Sequence, residues 1–86
     1  MLQGKTSSGF AFEISEDIVD DYELVETLGE LEENPLNLSK VVTMLLGKKQ
    51  TTELKEHCRV GNRVSTQKMM NEIQDIFANV NQVKNL

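Results

Sequence analysis

Hydrophobic spacing changes character along the chain. Phe10, Ala11, Phe12, Glu13 and Ile14 alternate large apolar with small or charged side chains, the period of a half-buried strand. Phe10, Phe12 and Ile14 would share its buried face. The preceding stretch, 1–9, is polar and rich in Gly, Ser and Lys, and is expected to be a flexible arm. A lone strand leaves a ladder of unpaired backbone groups, so it must pair with the arm, with another copy or with a partner protein.

From Ser15 onward the period is helical. Ser15 is a candidate N-cap for a helix from about Glu16 to Glu32, with Glu16 and Asp17 in the first turn, where the helix dipole favours anions. Ile18, Tyr22, Val25, Leu28 and Leu31, with Leu24 beside them, form its expected apolar stripe, and Glu23, Glu26 and Glu30 the opposite face. Asp21 fits poorly, because a step of about 100° per residue places it inside that stripe. Asn34-Pro35 ends the helix, since proline lacks the donor and pushes its predecessor out of the α region. A second helix, Leu38 to Leu46, has apolar residues around nearly its whole circumference and is expected to be the central, most buried element. Gly47 is its expected stop.

Thr51 to Arg59 offers only Leu54 and Cys58 as inward anchors, which predicts a surface helix, and Gly61-Asn62 marks the turn after it. Ser65 is a second candidate N-cap. Beyond it Met69, Met70, Ile73, Ile76, Phe77 and Val80 form a regular amphipathic stripe. The expected fold is mainly α: a compact bundle of about four helices with a short N-terminal β-strand. Residues 10–80 would form one helical domain, and 81–86 a frayed tail.

Composition narrows the function classes. An 86-residue chain has room for one core and buries roughly 60 to 65 % of its unfolded surface, so a stability of only about 5 kcal/mol is expected. Residues 1–46 hold ten acids against two lysines, a net charge of −8, whereas residues 47–86 hold four acids against seven bases, a net +3. Duplex affinity begins with neutralising phosphates, so this acidic chain is not expected to bind nucleic acid. The two halves are expected instead to neutralise each other, within one molecule or between copies, and self-association is a partner expectation. No apolar run approaches the roughly 18 to 20 residues of a membrane span, and no signal-peptide pattern opens the chain. With a single cysteine, Cys58, no intramolecular disulfide can form, which fits a reducing cytoplasm.

Candidate chemistry is sparse. His57 and Cys58 are adjacent, so on a helix they point about 100° apart, which suits a surface histidine beside a buried thiol better than a nucleophile and its base. One His and one Cys do not make a four-ligand zinc site, and Glu16, Asp17, Asp20 and Asp21 lack the glycine-turned spacing of an EF-hand loop. The glycines form no phosphate-binding fingerprint. Acyl carrier proteins are similar in size and acidity, but their Asp-Ser-Leu attachment motif is replaced here by Asn37-Leu38-Ser39-Lys40. The chain is expected to be no enzyme and to need no cofactor.

Thr6-Ser7-Ser8-Gly9-Phe10-Ala11-Phe12-Glu13-Ile14, Asp20-Asp21-Tyr22-Glu23-Leu24-Val25, Asn34-Pro35-Leu36, Val41-Val42-Thr43-Met44-Leu45-Leu46-Gly47 and Asn71-Glu72-Ile73-Gln74-Asp75-Ile76-Phe77 run in this order along the chain. Taken together they resemble the tail assembly chaperone family of long-tailed bacteriophages and prophages of Gram-positive bacteria. The basic stretch Arg59 to Arg63 departs from the family's pattern. The resemblance implies a protein of the bacterial host cytoplasm, absent from the mature virion. It would keep the tape measure protein soluble and help tail-tube protein polymerise around it. Such proteins are commonly encoded just before the tape measure gene. The flexible thioethers of Met69 and Met70 can repack against varied helical faces. Met69, Met70, Ile73 and Phe77, with the acids Asp20 and Asp21, are the expected partner-binding residues, the alternative for the two methionines being ordinary core packing. A competing expectation is a small acidic regulatory protein that binds a host or phage enzyme, in which the acids would form a regular exposed row.

Overall fold

The computed structural model describes residues 2–84 and confirms a mainly helical architecture with a short N-terminal strand pair. Strand β1 (Leu2–Lys5) pairs antiparallel with β2 (Ala11–Ile14), in a register that sets Leu2 opposite Ile14 and Gly4 opposite Phe12. The segment expected to be a flexible arm is thus the partner that β2 requires. Phe10, Phe12 and Ile14 are all buried, as their alternation predicts. Gly4 is there for a reason: a Cβ at that position would lie 2.6 Å from Cζ of Phe12, inside the ring's own space. At the far edge of β2 the Gln50 side chain acts as a substitute strand. It accepts from the Glu13 amide at 2.7 Å and donates to the Glu13 carbonyl at 2.6 Å, which blunts an edge open to further pairing.

The single helix expected over 16–32 is instead two, α1 (Glu16–Val19) and α2 (Tyr22–Glu33). Ser15 caps the first through its side chain, as predicted. Asp21 causes the break: its carboxylate accepts the Glu23 amide at 2.9 Å and caps α2. A residue that fitted the stripe poorly is therefore an N-cap, and α2 starts afresh with its own rotation. Its buried face is Leu24, Thr27 and Leu31, with Leu28 half-buried. The Thr27 hydroxyl can be buried because it donates to the Glu23 carbonyl at 2.8 Å. Tyr22 and Val25, expected in the stripe, are 73 % and 55 % exposed.

Asn34 and Pro35 end α2 and open a 3-10 turn, Pro35–Asn37, which leads into α3 (Leu38–His57). Gly47, at φ 76° and ψ 171°, kinks α3 into the two segments expected on either side of it, in a conformation that L side chains rarely adopt. Gln50 also donates to the Leu46 carbonyl at 2.9 Å and so satisfies a group released at the kink. Before the kink Leu38, Val41, Val42, Leu45 and Leu46 are buried, and after it Leu54 is fully buried. A two-residue turn at Gly61-Asn62 joins β3 (Arg59–Val60) to β4 (Arg63–Val64).

Helix α4 (Thr66–Lys84) begins at Ser65, whose hydroxyl accepts the Lys68 amide at 3.2 Å. It buries Met69, Ile73, Ile76 and Val80 against the rest of the core. The expected frayed tail, 81–86, is helical as far as Lys84, and its last two positions lie outside the described residues. Both α2 and α4 pack on α3, and the hairpin adds to this core through β2 on α3 and β1 on α4.

Candidate partner-binding groove

Because α2 and α4 both lean on α3 and hardly on each other, an apolar groove of about 640 Å³ opens between them. Leu24 and Leu31 of α2, with Ile73 and Val80 of α4, form its floor and belong to the core. Val25 and Leu28 form one wall, Met70 and Phe77 the other. The walls are only partly covered, since each helix presents a stripe wider than α3 can bury.

The residues expected to bind a partner divide between locations. Met70 and Phe77 are groove wall and Ile73 is its floor. Met69 turns away and lines a second, smaller groove of about 490 Å³ beside Leu36, Leu38, Val42 and Val64. Asp20 and Asp21 lie at the junction of α1 and α2, outside the groove lining, with Asp21 engaged as a cap. Val25 and Leu28 escape sequence reasoning as wall residues because a continuous 16–32 helix would point them into the core.

On the side of α4 away from the groove, a polar latch ties the N-terminal hairpin to the helix. The Thr6 hydroxyl donates to Glu72 Oε1 at 2.8 Å and the Ser8 hydroxyl donates to Glu72 Oε2 at 2.7 Å. The Ser7 amide and hydroxyl donate to Asp75 Oδ2 at 2.6 and 2.8 Å, and the backbone bond is the main cause that holds this carboxyl below its ordinary range. Glu72 is only 6 % exposed, yet both its oxygens are satisfied.

His57 Nε2 lies 2.9 Å from Ser8 Oγ, which invites comparison with a hydrolytic triad. The connectivity is wrong for one. Ser8 has a single proton and gives it to Glu72, so the imidazole N–H donates to Ser8 and does not act as its base. Cys58 is 1 % exposed, with burial the chief cause that raises its thiol above the ordinary value, so it is a core residue and not an activated nucleophile. Among the described residues no group of three or more His, Cys, Asp or Glu side chains is placed to hold a metal ion. Among the same residues no helix is long and apolar enough to cross a membrane.

No ion pair joins the two charge halves among the described residues. Among the described residues the ion pair is Arg59 with Glu56, 2.7 Å apart and both in the basic half. Helices α1 and α2 carry acids and no base at all. No protein-family model, curated protein or solved structure matches the chain.

Proposed function

We propose that this chain is a phage tail assembly chaperone that holds a helical segment of the tape measure protein in the groove between α2 and α4. The observation that carries the reading is the groove itself: a continuous apolar floor bounded by half-covered Leu28, Met70 and Phe77 and by exposed Val25. A long tape measure helix has an apolar stripe that aggregates in water, and a groove roughly three turns long, from Met70 to Val80 on α4, shields such a stripe. Release as tail-tube protein polymerises would leave the chaperone in the host cytoplasm and outside the virion. The resemblance of the segments quoted above supports the same role.

The test is co-expression of this chain with the product of the adjacent tape measure gene. The expected result is a soluble complex that copurifies, where the tape measure protein alone precipitates. Precipitation in both cases, or a genomic neighbourhood without tail genes, would point to the acidic regulatory protein instead.

A further inference from the structure

The two rims of the groove differ in charge. About 100° per residue carries the outer surface of α2 from Val25 through Gly29 and Tyr22 to Glu33 and Glu26, with Asp20 just ahead of the helix. Among the described residues the facing rim of α4 is uncharged: Gln74 and Ala78 line the groove, and Gln67 donates to Asn71 at 3.0 Å beside them. Glu26, Glu33 and Asp20 are exposed, and among the described residues none is in an ion pair.

Gly29 adds a second observation. It lies inside α2, exposed, with a Cβ there meeting nothing within 4 Å. Glycine is a poor helix former, and nothing in the fold of this chain requires one at this position. Gly29 does not itself line the groove, but at about 100° per residue it follows Val25 round α2, so a side chain there would stand at the edge of the α2 wall, while Ala78 lines the opposite rim.

Resting on the reading of the groove as a partner site, we infer that its occupant is an amphipathic helix of about three turns whose flank over α2 is basic. Its apolar stripe covers the floor, its Lys or Arg side chains on one flank meet Glu26, Glu33 and Asp20, and its other flank, against α4, is uncharged and polar. The charge contrast fixes which way round the helix lies, because reversing it would place the cations over Gln74 and Asn71.

The test uses the full chain and two synthetic 18-residue helical peptides with the same leucine stripe. One carries lysines on one flank and glutamines on the other; the second has glutamates in place of the lysines. In low salt the lysine peptide is expected to bind at least about tenfold more tightly by fluorescence anisotropy, and the ratio should shrink as salt screens the exposed acids. Gly29→Leu should weaken the lysine peptide by a similar factor while the melting temperature holds or rises. Equal affinities, no binding of either peptide, or unchanged binding to Gly29→Leu would overturn the inference. Self-association that the lysine peptide reverses would assign the groove to a second copy and overturn it too. If the tape measure protein is kept soluble while the peptides show no flank preference, the inference fails and the proposed function stands. If the peptides show the preference while the tape measure protein precipitates, the basic-flanked occupant stands and the chaperone role fails.

Discussion

The Thr6 hydroxyl donates to the Glu72 carboxylate at 2.8 Å, joining residues 66 positions apart in sequence. Thr6 is 4 % exposed and also receives the Phe10 amide on its Oγ1 at 3.0 Å, so the bond fixes both the hairpin's turn and its attachment to α4. Glu72→Ala removes the acceptor for two hydroxyls and leaves the buried Thr6 proton only the Ser8 oxygen, 3.2 Å away. A loss of about 1 to 3 kcal/mol is expected, read as a lower urea midpoint with an unchanged slope. A midpoint equal to the parent's would show that water replaces the carboxylate at no cost.

Asp75 makes the latch sensitive to acid. Its carboxyl titrates below the ordinary range in the folded chain because the Ser7 amide and hydroxyl bond its charged form. That stabilisation is fully present above the unfolded value of about 4 and is lost as pH falls through the lower folded value. The stability advantage of the parent over Asp75→Asn, measured by urea denaturation at pH 7 and pH 2.5, should therefore shrink at the lower pH. A difference that is constant or grows on acidification would mean that the charge of Asp75 does not matter to the latch.

What can be read from the sequence follows from local physics. Alternation places Phe10, Phe12 and Ile14 on one buried face, and the apolar circumference of 38–46 places the core helix. Gly47 and Ser65 mark a stop and a start. Asp21 shows the limit of periodicity: its misfit is the signal of a break, yet a polar residue in a stripe can equally be paired or at an edge, and only the observed cap decides. The groove walls are hidden for the same reason, because the break rotates α2 and brings Val25 outward. The latch leaves no trace in the pattern, since hydroxyl and carboxylate partners 66 residues apart have no period.

The central position of α3 predicts a severe phenotype for Leu45→Asp. Leu45 is 4 % exposed and belongs to the core on α3, the helix on which both α2 and α4 pack. An unpaired carboxylate there costs several kcal/mol, comparable to the whole expected stability of so small a domain. Loss of the cooperative thermal transition by circular dichroism is expected. A variant that melts like its parent would mean that the core is elsewhere.

Gly29→Ala should act in the opposite direction on the free chain. The added methyl meets open space in an established helix, so a gain of about 0.5 to 1 kcal/mol in stability is expected from propensity alone. A destabilised variant would show that Gly29 serves the fold and not a partner's approach.

The claim that the α2–α4 groove is the working surface is tested most directly by changing its walls without touching its floor. Val25 is 55 % exposed and Met70 half-buried, so Val25→Gln with Met70→Gln should leave the core and the melting temperature close to the parent's. The measurement is the soluble fraction of the tape measure protein co-expressed with this double variant and with the parent chain. Retention in solution by the parent and precipitation with the folded double variant is the predicted result; equal solubility with both would contradict the account.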